Sequence, residues 1–323
     1  MNIDMIRAAA ARAEGQIRRT PMLTSPGLDA IAGRRVLVKA EALQFTGSFK
    51  ARGGWAAISA LAPEIRARGV IAFSSGNHAQ GVAMAARAHG ISAVIIMPAD
   101  APRSKIEGTR DLGAEVVLYD RARDDRDALG ARLADERRLT LIRPFDNAEV
   151  IAGQGTCGLE IAQQAAELGV TTGDVLVCCG GGGLTSGIAL ALQSEAPGLR
   201  ARPVEPAGFD DVRRSLASGR IERNPEMAGS ICDAIVTPQP GTITFPIMQR
   251  LCGPGIAVPD EDCLRAMAAA FRHLRLVVEP GGAVALAAAL YHPNGLSGEA
   301  VVVVASGGNV DGAMFARALG VLD

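Results

Sequence analysis

The sequence predicts an α/β fold with two domains, each containing a mainly parallel β-sheet flanked by helices. Short runs rich in Val, Ile and Leu alternate with Ala-rich stretches of helical character along most of the chain. The strand-like runs are almost continuously apolar, which is typical of parallel strands covered by helices on both faces. A length of 323 residues also suits two domains, at roughly 150 residues each.

The alternation is clearest between residues 70 and 145. In chain order this segment reads as strand VIAFS, helix HAQGVAMAARAHG, strand ISAVIIMP, helix PRSKIEGTRDLG, strand AEVVLYD, helix RDDRDALGARLADERR and strand LTLIRPF. Strands alternating with helices in this way indicate βαβ units. We expect residues 61–145 to form a small domain inserted into a larger one.

The two ends of the chain, residues 1–60 and 146–323, should together form the larger domain. The N-terminal part offers strand RRVLVKAE and a helix after Gly47, which should pack on the C-terminal part. There we expect helix GQGTCGLEIAQQAAELG, strand GDVLVCC, helix LTSGIALALQ, strand ARPVEP, two helices after Pro259 and strand EAVVVVA. Residues 207–255 read as irregular.

The composition argues against two kinds of partner. The 33 Lys and Arg residues balance 34 Asp and Glu residues, and only 3% of the residues are aromatic. The chain therefore lacks the basic surface and the stacking platforms of nucleic-acid binders. Its apolar runs fall short of the roughly 18 residues that a membrane-spanning helix needs. We expect neither a nucleic acid nor a membrane as partner.

The N-terminus and the cysteines predict a cytoplasmic protein. The first residues, MNIDMIRAAAARAEGQ, lack the apolar core of a secretory signal and include Asp4 and Glu14. None of the six cysteines has CxxC spacing, and Cys178 and Cys179 lie in a strand-like run. Buried free thiols in a reducing compartment are the expected state.

The first segment that suggests chemistry is TGSFKARGG, residues 46–54. Gly47 permits a tight turn, Ser48 can cap the following helix, and Lys50 falls in the first helical turn. The positive end of the helix dipole disfavours an ammonium there, which lowers its pKa and favours the free amine that Schiff-base formation needs. A solvated surface lysine is the alternative, and spacing alone does not decide between them.

Two further segments predict anion sites where a strand ends and a helix begins. Residues 74–78, SSGNH, offer backbone N–H groups, hydroxyls and an amide, although plain helix capping also explains them. Gly180–Gly183 would let the backbone wrap a phosphate. A dinucleotide site is the rival reading, with Glu205 at the end of the next strand as its acidic residue. However, Thr185 or Ser186 stands where GxGxxG requires its third glycine.

The fourth segment is SGGN, residues 306–309, after strand VVVVA. A hydroxyl at the carboxyl end of a central parallel strand points into the crevice where such sheets bind ligands. An ordinary turn between a strand and a helix is the alternative. The four histidines show no HxxH or HExxH spacing, so the sequence does not suggest a histidine metal centre.

Taken together, TGSFKARGG, SSGNHAQG, CGGGGLTSG and SGGNVDG, in this order, resemble the pyridoxal-phosphate (PLP) enzymes of fold type II, the tryptophan synthase β-like fold. The most similar branch comprises the serine/threonine dehydratases and serine racemases, and the similarity extends from about Arg19 to the C-terminus. The resemblance implies a PLP cofactor, an active site between the two domains, a small amino acid as substrate and a homodimer.

The resemblance also implies roles for individual residues. Lys50 would form a Schiff base with the cofactor and, once released, remove the α-proton of the substrate. The other cofactor contacts would be Phe49 beside the ring, Asn77 at the 3′-oxygen, Gly180, Gly181, Gly182, Gly183 and Leu184 around the phosphate, Ser306 at the pyridine nitrogen, and Glu279 nearby. The substrate would contact Ser74, Ser75, Gly76 and His78.

We therefore predict a PLP-dependent ammonia-lyase that eliminates water from threonine, serine or hydroxyaspartate and yields a 2-keto acid and ammonia. A neutral Ser306 at the ring nitrogen favours elimination over transamination. Ser75 leaves open a serine or hydroxyaspartate racemase with dehydratase side activity, because similar dehydratases carry Ala there and racemases use Ser as an acid/base. A nucleotide-binding oxidoreductase or sensor module is the alternative of another class, and only the glycine loop supports it.

Two features bear on specificity and on metal binding. Arg143 stands where the family often has His before Pro-Phe-Asp, and Arg126 aligns with a racemase-like region where an arginine contacts the substrate. Either could read a second carboxylate, which makes hydroxyaspartate a candidate, and both could equally be solvated surface arginines. Glu205, the Phe209 carbonyl and Asp211 resemble the family's divalent-cation site, which would take Mg²⁺, Ca²⁺ or Mn²⁺.

Overall fold

The computed structural model describes residues 1–74, 76–101, 103–120, 123–226 and 228–322. The β-strands are β1 (Met22–Thr24), β2 (Arg35–Lys39), β3 (Val70–Phe73), β4 (Ala93–Pro98), β5 (Glu115–Tyr119), β6 (Thr140–Leu141), β7 (Gly173–Cys178), β8 (Leu199–Pro206), β9 (Ile256–Val258) and β10 (Ala300–Val304). The α-helices are α1 (Ile3–Ala13), α2 (Pro26–Ala32), α3 (Lys50–Ser59), α4 (Pro63–Arg66), α5 (Asn77–Ala88), α6 (Arg103–Asp111), α7 (Arg126–Glu136), α8 (Ala148–Glu167), α9 (Gly183–Glu195), α10 (Asp211–Ser218), α11 (Thr244–Leu251), α12 (Asp260–Leu274), α13 (Pro280–Tyr291) and α14 (Gly312–Leu319).

The strands form two sheets. The larger sheet has the order β1-β2-β10-β7-β8-β9, in which β1 pairs antiparallel with β2 and the other neighbours are parallel. The smaller sheet has the order β5-β4-β3-β6 and is parallel. The predicted α/β class with mainly parallel sheets is confirmed, and β2 pairs with β10 as expected for an N-terminal strand that packs on the C-terminal part.

Burial explains why the strand sequences are apolar throughout. Every residue of β7 and β10 is buried, because helices cover the larger sheet on both faces. Helix α13 is buried from Pro280 to Leu290 around its whole circumference, and its Ala-rich sequence lets it pack closely against the sheet. A core of this kind holds the ends of the central strands in fixed positions.

The carboxyl ends of three strands carry the segments that the sequence analysis selected. Ser74 follows β3, Gly180–Gly183 follow β7, and Ser306 follows β10. Ligands of open parallel sheets bind beyond these carboxyl ends. The fold therefore brings together segments that are far apart in the sequence.

The division into domains remains a prediction at its stated boundaries. The smaller sheet uses residues between Val70 and Leu141, and the larger sheet uses strands from both ends of the chain. Helix α3, which lies before residue 61, contributes Trp55 and Ile58 to the apolar cluster of the smaller sheet. This helix therefore packs against both parts of the molecule.

Several elements differ from the sequence prediction. Residues 207–255, which read as irregular, contain helices α10 and α11. The first 60 residues contain α1, α2 and β1 in addition to the expected strand and helix. Strand β6 spans only Thr140–Leu141, although its sequence run is seven residues long. Strand β9 and helix α14 were also not predicted.

Candidate active site

A cavity of about 1190 Å³ opens at the carboxyl ends of the strands. Its lining includes each described residue that we predicted to contact cofactor or substrate, namely Phe49, Lys50, Ser74, Gly76, Asn77, His78, Arg126, Gly180, Gly181, Gly182, Gly183, Leu184, Glu279 and Ser306. Ser75, predicted as a catalytic and substrate-binding residue, lies outside the described residues. The structure thus gathers the predicted residues around one space, while their individual roles remain predictions.

Lys50 is the first residue of α3, and its amine faces the cavity. Its Nζ donates a hydrogen bond to the Pro144 carbonyl at 2.9 Å. Burial lowers the pKa of Lys50 to about 8, while Cys178 and Glu279 act in the opposite direction. The direction agrees with the sequence prediction, but burial is the main cause. The expected Ser48 cap is wrong, because Phe49 is the N-cap and the Ser48 hydroxyl has no hydrogen-bond partner among the described residues.

Lys50 also stands apart from the other lysines. The chain contains three lysines, and Lys39 is fully buried in an ion pair with Glu160. Lys105 lines the cavity and lies 3.7 Å from a carboxylate oxygen of Asp233. The buried Lys50 amine, with a pKa lowered to about 8, can lose its proton close to neutral pH.

Asn77 and Glu279 form a polar pair on the cavity wall. Asn77 Nδ2 donates to Glu279 Oε1 at 2.6 Å, and Asn309 Nδ2 donates to Asn77 Oδ1 at 2.7 Å. Burial raises the pKa of Glu279 to about 7, against the effect of the Asn77 hydrogen bond. The Glu279 carboxyl group can therefore change protonation state near neutral pH.

His78 is buried beside this pair at the start of α5. Its Nε2 lies 2.9 Å from the Ile142 carbonyl, which can only accept a hydrogen bond, so Nε2 carries the proton. Burial and the nearby Lys50 charge lower the pKa of His78 to about 3. His78 is thus a neutral group that adds no positive charge to the site.

The glycine loop suits an anion. Within the described ranges, the backbone N–H groups of Gly180–Gly183 donate no hydrogen bond to the protein, and they lie at the N-terminus of α9. The Gly181 carbonyl is held by the Thr244 hydroxyl at 2.6 Å. Gly182 has φ +91°, and a Cβ on Gly181 would clash with the Phe145 ring. Larger residues would therefore distort this cradle, whose free N–H groups and helix dipole fit a phosphate.

Ser306 is tied to the segment that carries Lys50. Its carbonyl accepts a hydrogen bond from the Phe49 backbone N–H at 3.1 Å. Burial raises the pKa of the nearby Cys178 thiol to about 12, against the effect of the Ser306 hydroxyl, so the thiol keeps its proton. Ser306 lines the cavity, and its hydroxyl can donate or accept a hydrogen bond there.

The two candidate arginines lie at the exposed mouth of the cavity. Arg126 is the first residue of α7, and its guanidinium carbon lies 5.3 Å from the centre of the Phe73 ring. Arg143 also lines the cavity and makes no hydrogen bond or ion pair with any residue of described position. Both arginines therefore line the cavity, and their contact with a substrate remains a prediction.

The residues predicted to bind a divalent cation lie outside the cavity. Glu205 is fully buried and accepts backbone hydrogen bonds from Val212 and Arg213 at 2.9 and 2.7 Å. Asp211 accepts from Asn224 at 2.6 Å, and its second oxygen is buried without a hydrogen-bond partner in the described part of the chain. Burial raises the pKa of both carboxyl groups, that of Asp211 to about 7. No described group of three or more His, Cys, Asp or Glu side chains is arranged to hold a metal.

The sequence predicts no individual role for several residues of the site. In it, Cys178 reads as a buried thiol, Pro144 and Phe145 as neighbours of Arg143, and Asn309 only as part of a motif. Their contacts join segments that are distant along the chain, such as Asn77 with Asn309. The only available signal was their position beside a strand end or inside a motif.

The fold and the site together define an enzyme that binds an anionic cofactor beside a buried lysine. The sequence matches the family described as "Pyridoxal-phosphate dependent enzyme" over residues 13–307, and the chain belongs to this family. The family and the PLP cofactor predicted from the four motifs are confirmed. This assignment does not agree with the alternative of a nucleotide-binding oxidoreductase or sensor.

Individual relatives are similar over nearly the whole chain. The L-threo-3-hydroxyaspartate ammonia-lyase of Pseudomonas sp is 40% identical, over 98% of this chain and 97% of the relative. The serine racemase of Schizosaccharomyces pombe is 37% identical, over 98% of this chain and 96% of the relative. The crystal structure of a T.th. threonine deaminase has a TM-score of 0.91 and 42% identity, covering 96% of this chain and 99% of that one.

Proposed function

We propose that the protein is a PLP-dependent ammonia-lyase that converts β-hydroxy amino acids to 2-keto acids and ammonia. The observation that carries this proposal is the position of the Lys50 amine, whose pKa burial lowers to about 8, on the wall of the cavity that the glycine loop also lines. Relatives named ammonia-lyase or threonine deaminase support the same reaction class.

The protein groups suit proton transfer at the α-carbon of an amino acid. When bound, PLP supplies an electron sink for the negative charge that develops at this carbon. The free N–H groups of Gly180–Gly183 would hold its phosphate. Lys50 Nζ would accept the α-proton, because its lowered pKa keeps much of the amine unprotonated near pH 8. Because the pKa of His78 is lowered to about 3, its imidazole is a much weaker base than the Lys50 amine.

We include 3-hydroxyaspartate among the substrates, beside threonine and serine. The Pseudomonas relative carries this substrate in its name, and Arg126 and Arg143 lie at the cavity mouth, where a second carboxylate would meet positive charge. Turnover of threonine and serine with none of either hydroxyaspartate diastereomer would contradict this part of the proposal.

The main experiment follows cofactor and product in the purified protein. Addition of PLP should give the visible absorption band of a protein-bound Schiff base, and the substrates should then release keto acid and ammonia. Lys50→Ala should lose the band and the activity, whereas Lys105→Ala, also at the cavity wall, should keep the band. A colourless wild-type protein after addition of PLP would refute the proposal.

A racemase is the second candidate, supported by the similarity to the Schizosaccharomyces pombe serine racemase. Ser75 would be its second acid/base group, as the sequence resemblance implies. Chiral analysis of the substrate that remains after partial turnover separates the two functions. Accumulation of D-serine from L-serine faster than keto acid would favour the racemase.

We also propose that Glu205, the Phe209 carbonyl and Asp211 bind a divalent cation. Two buried carboxylates, one with an oxygen that lacks a described partner, would be stabilised by a hard cation with oxygen ligands. Mg²⁺, Ca²⁺ or Mn²⁺ should raise the melting temperature of the wild-type protein and leave that of Glu205→Gln unchanged. Equal melting curves with metal and with EDTA would contradict the site.

The assembly and the cellular location remain proposals. We propose a homodimer, which light scattering after size-exclusion chromatography can test. A cytoplasmic location is supported by six buried free cysteines, since free thiols persist in a reducing compartment. No described helix is long and apolar enough to cross a membrane.

A further inference from the structure

Asn77 faces the cavity with a side chain that has two chemically opposite edges. The NH₂ edge donates hydrogen bonds and the carbonyl edge accepts them, and a rotation of the amide by 180° exchanges the two. Which edge faces a ligand therefore decides whether Asn77 stabilises or repels a negatively charged oxygen. The groups around Asn77 determine this choice.

Glu279 alone does not fix the orientation. Its Oε1 accepts from Asn77 Nδ2 at 2.6 Å, but a protonated carboxyl group can also donate. Because burial raises the pKa of Glu279 to about 7, both forms are accessible near neutral pH. A contact that holds at any pH must come from the other side of Asn77.

That contact is Asn309, which is itself fixed by a group that can only accept. Asn309 Nδ2 lies 2.8 Å from the Thr46 carbonyl oxygen and 2.7 Å from Asn77 Oδ1. If the Asn309 amide were reversed, its oxygen would face the Thr46 carbonyl oxygen, which cannot donate a hydrogen bond. Asn309 therefore presents its NH₂ group to Asn77, which turns the carbonyl edge of Asn77 away from Glu279.

Packing confines the Asn309 amide to this position. Gly47 has φ +71°, and a Cβ built there would lie 2.5 Å from Asn309 Oδ1, so the Gly47 backbone sits directly against the amide. The Gly308 N–H donates to the Gly47 carbonyl at 2.9 Å and locks the two loops together. The segment before Lys50 thus packs against the segment that contains Ser306 and Asn309.

We propose that Asn309 is a positioning residue that keeps the NH₂ edge of Asn77 available to the cofactor. This inference rests on the PLP-binding part of the proposed function. A donor edge stabilises the ionised phenolic oxygen that pyridoxal carries beside its aldehyde, and an acceptor edge repels it. Asn309 therefore acts on the cofactor through Asn77 without touching it.

The test compares PLP binding by holoenzyme variants. Asn309→Asp has the same shape but no NH₂ group, so it should weaken PLP binding by about tenfold or more, the loss expected for one hydrogen bond to a charged group. It should also shift the pH at which the visible band changes. Asn294→Asp, on an exposed loop, adds the same charge and should bind PLP as the wild type does.

A double-mutant cycle separates positioning from general damage. If Asn309 acts through Asn77, the double variant Asn77→Ala/Asn309→Asp should bind PLP no more weakly than Asn77→Ala alone. Multiplication of the two effects, or wild-type binding by Asn309→Asp, would overturn the proposal. Should Asn309→Asp fail to fold, Asn309→Ala in the same cycle gives the same contrast without the added charge.

The test of Asn309 measures PLP binding and does not depend on which substrate the enzyme converts. A wild-type protein that binds PLP but releases no keto acid contradicts the proposed ammonia-lyase, yet the Asn309 cycle can still be measured by the visible band. Conversely, normal turnover by the wild type together with additive effects in the cycle leaves the function intact and refutes the role of Asn309.

Discussion

Lys50 shows how the fold tunes a single side chain. Its place at the start of α3 was expected to lower its pKa through the helix dipole, and the larger cause is removal of the amine from water. The nearby Glu279 and Cys178 oppose this effect, so the amine stays within reach of physiological pH. Burial depends on chain segments that are far away in sequence, and the sequence pattern alone therefore could not supply this cause.

The pKa of Lys50 predicts a pH dependence for cofactor capture. Only the unprotonated amine attacks an aldehyde, and a pKa lowered from 10.5 to about 8 moves the gain of free amine to lower pH. The rate at which the apoprotein forms the visible band should therefore rise with pH and level off above about pH 9. Stopped-flow absorbance measures this rate.

The variant Glu279→Gln separates the titration of Lys50 from that of the neighbouring Glu279 carboxyl group. Glu279 titrates close to the same range, so Glu279→Gln should keep a midpoint near 8 or move it slightly lower, because the opposing carboxylate is gone. A rate that continues to increase up to pH 10 or beyond in both proteins would show that the amine is not buried.

For single residues, the sequence predicted which residues lie at the site better than it predicted their hydrogen-bond partners. Asn77, Ser306 and the glycines were located because each follows a strand end, where parallel sheets bind ligands. The pairing of Asn77 with Glu279 joins residues 202 positions apart. Pairings of this kind arise only when the strand order is known, and that order was not predicted.

At the scale of elements, the periodic patterns identified the long helices and the buried strands. The missed helices α10 and α11 have eight residues each, and helices this short are stabilised mainly by tertiary packing rather than by their own sequence. Helix α10, for example, is anchored by Glu205, which accepts hydrogen bonds from its backbone at Val212 and Arg213. Such support comes from another strand and leaves no local signal.

Helices α3 and α5 cross so closely that two glycines are required. A Cβ on Gly81 would lie 2.6 Å from the Lys50 carbonyl, and a Cβ on Gly54 would lie 2.5 Å from the Gly81 carbonyl. Both contacts are with backbone, which cannot rotate away. The crossing therefore sets the distance between Lys50 on α3 and Asn77 on α5.

We expect Gly81→Ala to destabilise the protein and to weaken PLP binding. Overpacking of this kind costs about 1–3 kcal/mol, and relief of the clash would push Lys50 from its position. Urea denaturation of the apoprotein gives the change in the free energy of unfolding, and the visible band reports the PLP affinity.

Gly108→Ala is the control for Gly81→Ala. Gly108 also lies in a helix, α6, and its nearest atom to a new Cβ is a flexible Gln80 nitrogen at 3.8 Å. This change should be neutral or stabilising by about 0.5–1 kcal/mol, because alanine favours helix more than glycine does. Equal stability of the two variants would show that the crossing tolerates a side chain.

At the scale of the whole molecule, a buried charge network joins the N-terminal part to the C-terminal part across the inserted segment. Arg52 donates to both oxygens of Glu41 at 2.7 Å and to Glu160 Oε1 at 2.6 Å, and Lys39 lies 2.5 Å from Glu160 Oε2. The two positive charges balance the two negative ones, and Arg52 is only 2% exposed. The network connects β2, α3 and α8. No sequence pattern indicated it, since each residue reads as an ordinary charge.

Because the network is buried and balanced, loss of one member leaves an uncompensated charge. Arg52→Met should therefore lower the free energy of unfolding by about 3–5 kcal/mol, as expected for a broken buried ion pair. The matched control is Arg103→Met in the exposed pair of Arg103 with Glu107, which should leave stability unchanged within error. Denaturation curves of the two apoproteins provide the comparison. An Arg52→Met protein as stable as the control would show that water reaches Glu41 and Glu160, and that the network does not tie the two parts together.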